Sequence, residues 1–470
     1  MRDVPVQPKP RDGLLPALGR ERHEGLVEAM TKAREELDGR VVWHVNSTSQ
    51  GGGVAELLRP LVGTARGFGM DWRWITIEGS EDFFAVTKRI HDHLHGSPGD
   101  GGALSADERL VYDATLASQA PAIAEHLSAP DLVVLHDPQT LGLAPLLAPH
   151  AGALIWRCHI GSDEPDDLAL AARRFLLPSL EAVDALVFST ARHVWDGAAR
   201  EPVTIIAPSI DPTTPKNQEV EDEVVLSIVR VSGISPGAPT ARPTFRRIDG
   251  DEGVVERSVQ LIPKGAVPED VPLVLQVSRW DRLKDPTGVL RGFVEHVAPR
   301  SPAHLILAGP MLDGVADDPE EDEALAEVTE MHRGLPPADR NRVHLALLPM
   351  DDQEENGAIV NALQRRADVV VQKSLAEGFG LTVAEAMWKE RPIVASAVGG
   401  IVDQVVDGKS GLLLKDPSDL ETLGELVGSL LDDDEGRREM GRHGKERVRD
   451  RFLVSRELTE HVDLFATLVG

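Results

Sequence analysis

Cysteine and long apolar runs are almost absent from this chain of 470 residues. Its single cysteine, Cys158, excludes an internal disulfide, agrees with a reducing compartment and is interpreted as a small buried apolar residue. No apolar stretch is long enough to span a membrane, and the first residues, MRDVPVQPKPRDG, are polar and contain prolines, unlike a signal peptide. We therefore expect a cytoplasmic protein with no membrane partner.

Positive charge is scarce as well. Lysine and arginine number 49 against 77 aspartates and glutamates, which gives a formal net charge of −28. Binding to nucleic-acid phosphates requires clustered cations, so no nucleic-acid partner is expected. The acidic runs DDPEEDE, DDQEE and DDDE lack the histidines and glycine turns of metal sites. They are interpreted as solvated surfaces, and the sequence predicts no metal site.

Short apolar strands alternate with helical stretches, and this pattern occurs twice. The candidate strands of the first series are Val41–Val45, Trp74–Ile77, Leu132–Leu135, Ala153–Arg157, Ala185–Phe188 and Val203–Ile206. Those of the second are Leu273–Val277, His304–Leu307, Val343–Ala346, Val369–Val371 and Ile393–Ala395. The alternation predicts an α/β protein with two doubly wound, parallel-sheet (Rossmann-like) domains that face each other across a cleft.

A proline-rich segment, PSIDPTTP, marks the expected boundary between these domains. Residues 1–212 are predicted to form the first domain and residues 213–451 the second. A C-terminal helix at about residues 452–470 is expected to pack back on the first domain. Residues 219–272, which include VVLSIVRVSG, break the pattern and are predicted to form a peripheral insertion of short strands and loops.

Two glutamates eight residues apart flank a glycine turn in EGFGLTVAE. Glu377 follows an apolar strand, and Glu385 lies in a helix predicted over Thr382–Lys389, whose first turn leaves backbone N–H groups free. An anion is expected at this helix start, with one glutamate near a sugar and the other near a ribose. Such a spacing arises by chance in many acidic chains, and it is the surrounding strand, turn and helix that favour a nucleotide-sugar site.

Two cations follow the strand Leu273–Val277 in the segment SRWDRLKDP. Ligands of open α/β sheets bind outside the carboxyl ends of strands, so Arg279 and Lys284 are candidates to neutralise a diphosphate leaving group. The alternative is that both are solvated surface cations.

Glycines and histidines supply further candidates after the strands of the first domain. Gly51–Gly53 would let backbone N–H groups approach a ligand, although a triple glycine is equally consistent with a flexible turn. His136 and His159 each lie just beyond a strand, where a histidine can bond a sugar hydroxyl. The three histidines of HDHLH, residues 91–95, are interpreted as exposed helix residues rather than as a zinc site.

Several segments together resemble retaining glycosyltransferases of the GT-B fold, and within family GT4 the trehalose synthase subgroup. The matching segments are NSTSQGGGVAELL, IEGSEDFFAVTKRIHDHLHG, HDPQ, WRCHI, PSIDPTTPKN, QVSRWDRLKDP and EGFGLTVAEAMWK with AVGGI. IEGSEDFFAVTK and WRCHI are the most specific of them. The insertion at residues 219–272 is where this chain departs from the subgroup.

The resemblance implies that residues 1–212 form the acceptor-side domain and residues 213–451 the nucleotide-sugar-binding domain, and it implies a role for each candidate residue. Glu377 would contact the transferred glucose, Glu385 the nucleotide ribose and His159 the 6-hydroxyl of the donor glucose, while Arg279 and Lys284 would hold the diphosphate. The other donor-binding residues implied are Gly51, Gly52, Gly53, Phe379, Gly380 and Leu381. The acceptor-binding residues implied are Glu78, Phe83, Asp137 and Gln139.

The implied activity is the reversible transfer of glucose from a nucleotide-diphosphate glucose to free glucose, with retention, to make trehalose. The two cations can replace a metal at the diphosphate, so no cofactor is expected; Mg²⁺ is compatible with the pattern but not indicated by it. UDP-, ADP- and GDP-glucose stay open as donors, and the sequence leaves open whether the chain forms a homo-oligomer. The alternatives are a trehalose phosphorylase and a sugar-nucleotide-binding protein without turnover.

Overall fold

The computed structural model describes residues 1–49, 53–197, 202–312 and 319–470. The strands are β1 Arg2–Asp3, β2 Val42–Asn46, β3 Trp72–Thr76, β4 Leu132–His136, β5 Ala153–Cys158, β6 Ala185–Phe188, β7 Val203–Ile205, β8 Thr244–Arg246, β9 Glu252–Val254, β10 Gln260–Ile262, β11 Leu273–Val277, β12 His304–Pro310, β13 Val343–Leu348, β14 Val369–Gln372, β15 Ile393–Ser396 and β16 Leu412–Leu414. The strands of both expected series are present, with ends shifted by a few residues.

The helices lie between these strands. They are α1 Leu15–Leu18, α2 Arg20–Glu36, α3 Gly53–Gly67, α4 Glu81–Leu94, α5 Ala106–Ala124, α6 Asp137–Leu141, α7 Ala144–Leu147, α8 Asp167–Leu180, α9 Asp222–Val231, α10 Pro286–Gly292, α11 Pro319–Gly334, α12 Pro337–Arg340, α13 Gln353–Arg366, α14 Leu381–Trp388, α15 Ile401–Gln404, α16 Leu420–Asp432, α17 Asp434–Arg451 and α18 Val454–Val469. Short 3-10 turns occur at Ala148–His150, Ala191–His193 and Arg282–Lys284, and a π turn at Phe293–Val297.

Contacts divide the chain into two compact units. The first unit comprises Met1–Ser209, Phe452–Gly470 and the short segment Glu377–Phe379. The second unit comprises Ile210–Ala376 and Gly380–Arg451. Helix α18 belongs to the first unit and packs there against α2 and α3.

The first unit is built on a seven-stranded sheet in the order β1-β3-β2-β4-β5-β6-β7. Only the edge strand β1 is antiparallel to its neighbour among these described strands. All five residues of β4 are buried, as expected for a parallel strand that helices cover on both faces. The chain passes from β2 to β3 on one side of the sheet, and then from β4 through β5 and β6 to β7 on the other side. The topological switch point therefore lies between β2 and β4.

The second unit repeats this plan with the order β10-β13-β12-β11-β14-β15-β16. Here too the edge strand β10 is antiparallel to its neighbour β13, whereas the inner pairs are parallel. The switch point lies between β11 and β14. β11 is followed by the segment with Arg279 and Lys284, and β14 by the segment with Glu377 and Glu385, which are the site candidates predicted from the sequence.

The insertion at residues 219–272 contains one element that sequence reasoning misread. The run VVLSIVRVSG was expected to be a strand, but it lies in and just after the helix α9. Val225, Ile228 and Val229 are buried on one helical face, and α9 packs against α13. The remainder forms the β8–β9 hairpin and the strand β10 at the edge of the second sheet.

Two other expectations concern single residues. Cys158 is buried and is a free thiol, as expected, and burial raises its pKa. His93 is buried on the core face of α4, so the interpretation of the HDHLH histidines as exposed is wrong for this residue. No helix within the described ranges is long and apolar enough to cross a membrane.

Candidate functional site

The turn that carries Arg279 and Lys284 follows β11 at the switch point of the second sheet. Two hydrogen bonds hold it in place. Gln276 of β11 donates from Nε2 to the carbonyl of Lys284 at 2.8 Å, and the backbone N–H of Leu375 donates to the carbonyl of Leu283 at 2.7 Å. The turn is thus tied both to its own strand and to the segment that follows β14.

Two partly buried carboxylates are the partners of Arg279 in the contacts that the structure records. Its guanidinium pairs with Glu321 at 3.2 Å and with Asp281 at 3.4 Å, and its own side chain is 53% exposed, against 18% and 17% for the two acids. A pair whose cation is half-exposed contributes about 1 kcal/mol, so an incoming diphosphate can displace it. Lys284 ends the 3-10 turn and is half-buried.

A buried ion pair beneath this turn was not identified from the sequence. Lys373 follows β14 directly, is 1% exposed, and pairs through Nζ with Oδ2 of Asp285. Asp285 has a left-handed backbone, φ 45°, and its Oδ1 accepts the N–H of Gly288 at 2.9 Å, which caps α10. The pair therefore links the two strand ends at the switch point. The sequence feature that could have identified this pair is the position of Lys373 immediately after a buried strand.

Glu385 is buried in α14 and uses only part of its carboxylate. Its Oε1 pairs with Nζ of Lys216 at 2.8 Å, while its Oε2 is buried without a hydrogen-bond partner among the described residues. Lys389, one turn later, donates to Asn217 at 2.9 Å and to the carbonyl of Glu385 at 3.2 Å. Burial lowers the pKa of Lys389 to about 7, and the carboxylate of Glu385 opposes this shift. One acceptor oxygen thus stays available to a hydroxyl donor.

The helix that carries Glu385 begins after a left-handed glycine. Gly380 has φ 82° and ψ 64°, which a residue with a side chain rarely adopts, and Leu381 is the first helical residue. The N–H groups of the first turn have no partner within the helix, so this end can receive an anion. The predicted helix start, Thr382, was one residue late.

The segment Glu377–Phe379 belongs to the first unit. A Cβ on Gly378 would lie 2.8 Å from the carbonyl oxygen of His159, so only glycine fits against that strand end. Phe379 is 5% exposed, and its ring lies 5.8 Å from that of Phe452. Glu377 is half-buried. The predicted sugar contacts Glu377 and His159 thus belong to one compact unit.

Asp137 fixes the backbone of His159. It has a left-handed backbone, φ 58°, and its Oδ1 accepts the N–H of His159 at 2.7 Å, while its carbonyl accepts Nε1–H of Trp156 at 3.0 Å. Burial raises the pKa of Asp137 to about 6. The ring of His159 contacts His136, and burial lowers the pKa of both histidines well below the usual value.

The other acceptor candidates have different surroundings. Glu78 is exposed and pairs with the N-terminal amine at 3.3 Å. Gln139 is half-buried in α6, and its Oε1 has no hydrogen-bond partner within the described chain. Phe83 is fully buried between Phe84 and Tyr112, so the structure places it in the core rather than on a ligand-accessible surface.

Gly51 and Gly52 lie outside the described residues, whereas Gly53 is the exposed first residue of α3. Across the ranges that the structure covers, no group of three or more His, Cys, Asp or Glu side chains is arranged to hold a metal ion.

Comparison with known proteins places this chain. Residues 44–195 match the family described as trehalose synthase, N-terminal domain, and residues 350–447 match glycosyl transferases group 1. The chain is 36% identical to the trehalose synthase of Rubrobacter xylanophilus and 34% identical to that of Thermococcus litoralis, each over 93% of both chains. The chain belongs to the trehalose synthase family. It is a glycosyltransferase of that type, which confirms the identification made from its motifs.

Solved structures support the fold of this trehalose synthase family member. The α,α-trehalose-phosphate synthase (UDP-forming) from Burkholderia xenovorans, in complex with glucose-6-phosphate, matches with a TM-score of 0.67 and 16% identity. The match covers 92% of this chain and 100% of that one. It confirms the predicted GT-B fold, which in this chain is built on two seven-stranded sheets. Arg279 and Lys284 lie between the two regions that match family descriptions.

Proposed function

We propose that this glycosyltransferase moves glucose from a nucleotide-diphosphate glucose to free glucose and so makes trehalose with retention at the donor carbon. The observation that carries the proposal is the arrangement of the second sheet. At its switch point, the Arg279–Lys284 turn follows β11, and the segment that leads to α14 and Glu385 follows β14. Diphosphate and ribose chemistry at one switch point is what a nucleotide-sugar donor requires.

The donor contacts follow from charge and hydrogen-bonding capacity. Arg279 and Lys284 supply positive charge to the diphosphate, with Arg279 exchanging its two carboxylate partners for phosphate oxygens. The buried Oε2 of Glu385 accepts a ribose hydroxyl, since its Oε1 is already paired with Lys216. The N–H groups at the start of α14 face the negative part of the donor.

The reaction proceeds by attack on the same face of the sugar. The bond between the donor C1 and the diphosphate oxygen breaks, the bond between C1 and the acceptor hydroxyl oxygen forms, and the acceptor proton passes to the leaving diphosphate. Negative charge grows on the leaving group, where Arg279 and Lys284 stabilise it. His159 and Glu377 contact the transferred glucose. Because two cations neutralise the diphosphate, the proposal includes no metal requirement.

A donor screen tests the proposal. Purified protein is incubated with glucose and UDP-, ADP- or GDP-glucose, released nucleotide is measured, and the product linkage is assigned by NMR with and without EDTA. We expect an α,α-linked, non-reducing disaccharide with at least one donor, and unchanged rates in EDTA. A β-linked product, or no transfer to glucose with any donor, would refute the proposal.

The same protein preparation separates the two alternatives. Incubation with trehalose and inorganic phosphate would release glucose and glucose phosphate if the chain were a phosphorylase. A binding protein without turnover would retain donor affinity but release no nucleotide. We expect neither result, and the reverse reaction to require a nucleoside diphosphate.

A further inference from the structure

Three buried histidines of the first unit form a continuous chain of contacts. His44 lies on β2, His136 ends β4 and His159 follows β5. Nδ1 of His44 is 3.0 Å from Nε2 of His136, and Nδ1 of His136 is 3.3 Å from Nε2 of His159. The rings of His136 and His159 are stacked at 5.6 Å with an interplanar angle of 12°. The chain crosses the switch point of the first sheet and ends at the proposed sugar contact.

The two ends of this histidine chain have different surroundings. Nδ1 of His159 and Nε2 of His44 are both buried and have no hydrogen-bond partner among the described residues. His44 is wholly inaccessible within the sheet, with its ring 5.0 Å from that of Trp72. His159 is 9% exposed and lies beyond the carboxyl end of β5, where ligands of such sheets bind. The His159 end is therefore the one that lies at the ligand edge of the sheet.

The charged groups around the chain keep its imidazoles neutral. Burial lowers the pKa of all three well below the usual value, and Arg157 and His461 lower it further, while Glu457 acts in the opposite direction on His44. Arg157 is itself paired with Glu457 at 2.6 Å and contacts Nε2 of His461 at 2.5 Å. Asp137, whose pKa burial raises to about 6, faces the backbone N–H of His159 rather than its ring.

Neutral imidazoles in such a chain permit only two proton arrangements, because each contact needs one donor and one acceptor. In the first, every N–H points towards His159, whose Nδ1–H is then free to donate, and His44 keeps a lone pair at Nε2. In the second, every N–H points towards His44, which then buries an N–H with no acceptor. Buried N–H groups without an acceptor are rare in proteins. In the first arrangement the N–H of His159 is buried as well, but it lies at the ligand edge of the sheet, where a bound sugar can accept from it.

We propose that His136 and His44 are positioning residues that hold His159 as its Nδ1–H tautomer, so that His159 donates a hydrogen bond to the transferred sugar. The identity of the ligand, a sugar hydroxyl, rests on the proposed function. The tautomer is a property of the free protein. The three histidines do not form a proton shuttle, because His44 at the far end is buried and has no partner among the described residues with which it could exchange a proton.

Nitrogen NMR of the full chain labelled with ¹⁵N-histidine tests the tautomer directly. Two-bond proton–nitrogen correlations distinguish protonated from unprotonated ring nitrogens, and loss of one signal set in His159→Asn assigns His159. We expect the free protein to show His159 protonated at Nδ1 only. A His159 protonated at Nε2, or an equal mixture, would overturn the proposal.

Variants of His136 link the tautomer to the reaction. His136→Phe keeps a ring but removes both contacts, so we expect a mixture of His159 tautomers and a fall of about tenfold in kcat/KM for the donor. His136→Asn retains an N–H near the position of Nδ1, so it should restore the tautomer and bring kcat/KM to within about threefold of the parent. An unchanged tautomer and unchanged kcat/KM in His136→Phe would overturn the proposal.

Two further variants keep the test decisive. His44→Phe replaces His136→Phe if that variant does not fold. Because His44 is two rings away from the ligand, we expect the same changes in tautomer and kcat/KM at reduced size. An unchanged His159 tautomer would count against the proposal. His344→Phe, which breaks a similar histidine pair in the second unit, should leave the His159 signals unaltered. If the parent protein makes no trehalose, the proposed function fails while the tautomer result stands. If it makes trehalose and the tautomer is wrong, only this inference fails.

Discussion

Each parallel sheet carries histidines in contact across neighbouring strands, but the contacts lie at opposite strand ends. In the first sheet, His136 and His159 lie at the carboxyl ends of β4 and β5; in the second, His304 and His344 lie at the amino ends of β12 and β13. The ring geometries are similar, with centroids 5.6 Å and 5.2 Å apart and planes 12° and 13° apart. Ligands bind outside carboxyl ends. The strand end, rather than the residue pair, therefore decides whether a function is expected.

Arginines of the second unit show the same contrast. Arg342 precedes β13 at the amino end and donates to the backbone carbonyls of Ala298 at 2.8 Å and Ala303 at 3.1 Å. Arg279 follows β11 at the carboxyl end, is half-exposed, and contacts two partly buried carboxylates that a ligand can replace. Arg342 thus binds backbone groups of the fold at the amino end. Arg279, at the carboxyl end of β11, can exchange its partners for those of a ligand.

The largest effect is expected at the carboxyl end of β11. Arg279→Ala and Lys284→Ala should each lower kcat by about a hundredfold or more, because each removes a charge whose contact with the diphosphate strengthens as the leaving group departs. Nucleotide release with saturating donor and glucose measures kcat, and circular dichroism confirms that the variants fold.

Arg282→Ala is the matched control. Arg282 occupies the same turn and is paired with Glu323 at 3.0 Å and Glu327 at 2.5 Å, so removing it changes the local charge equally. Its kcat should stay within about twofold of the parent, since an exposed pair contributes little. Near-normal turnover in folded Arg279→Ala, or an equal loss in Arg282→Ala, would show that specific diphosphate contacts are not responsible.

The sequence indicated the strand-end cations but not the groups beneath them. Arg279 and Lys284 were predictable because they follow a buried, mostly aliphatic strand, and that position alone implies the ligand edge of the sheet. Lys373 and Asp285 are 88 residues apart, and their pairing depends on β11 lying beside β14. Strand order is a long-range property that local patterns do not encode.

Two other differences have physical causes. His44 lies within a buried strand, and its contact with His136 depends on the neighbouring strand β4. The local sequence around His44 therefore does not predict this contact. Helix α9 was taken for a strand because its valines and isoleucine have high strand propensity. Packing against α13 buries them at helical spacing and outweighs that propensity.

A second prediction compares the two ends of one strand, β4. Asp137 follows its carboxyl end, and burial raises the pKa of this carboxyl group to about 6. The folded state then binds the proton more tightly than the unfolded state, so stability is lost as pH rises from about 4 to above 6. Asparagine stays neutral, tolerates the left-handed backbone and retains the acceptor for His159. Asp137→Asn should therefore be more stable than the parent by about 2 kcal/mol at pH 8, with the gain vanishing near pH 4.

Asp131, at the amino end of the same strand, supplies the control. Its carboxylate accepts three N–H groups, from Val41, Trp43 and Ser128. Asp131→Asn replaces one acceptor oxygen with a donor, so it should lower stability by about 1 to 2 kcal/mol. Urea unfolding of both variants at pH 8 and pH 5 measures the difference. The comparison between strand ends breaks down if both substitutions change stability in the same direction.

The smallest effect on activity is expected at the amino ends of the second sheet. His344 is buried and contacts His304 at 3.0 Å, and burial lowers its pKa to about 4. In His344→Phe, kcat/KM should stay within about twofold of the parent, and stability at pH 7 should change by about 1 kcal/mol or less, since one neutral hydrogen bond is lost.

The dependence of stability on pH gives the distinctive result for His344→Phe. The unfolded histidine takes up a proton near pH 6.5 whereas the folded one stays neutral, so the parent loses stability as pH falls from about 6.5 to 4. Phenylalanine cannot titrate, so at pH 5 the variant should gain about 2 kcal/mol relative to the parent. Urea unfolding at pH 7 and pH 5, beside donor kinetics, tests both parts; a drop of about tenfold in kcat/KM would give this pair the same role as His136 and His159 and remove the distinction between strand ends.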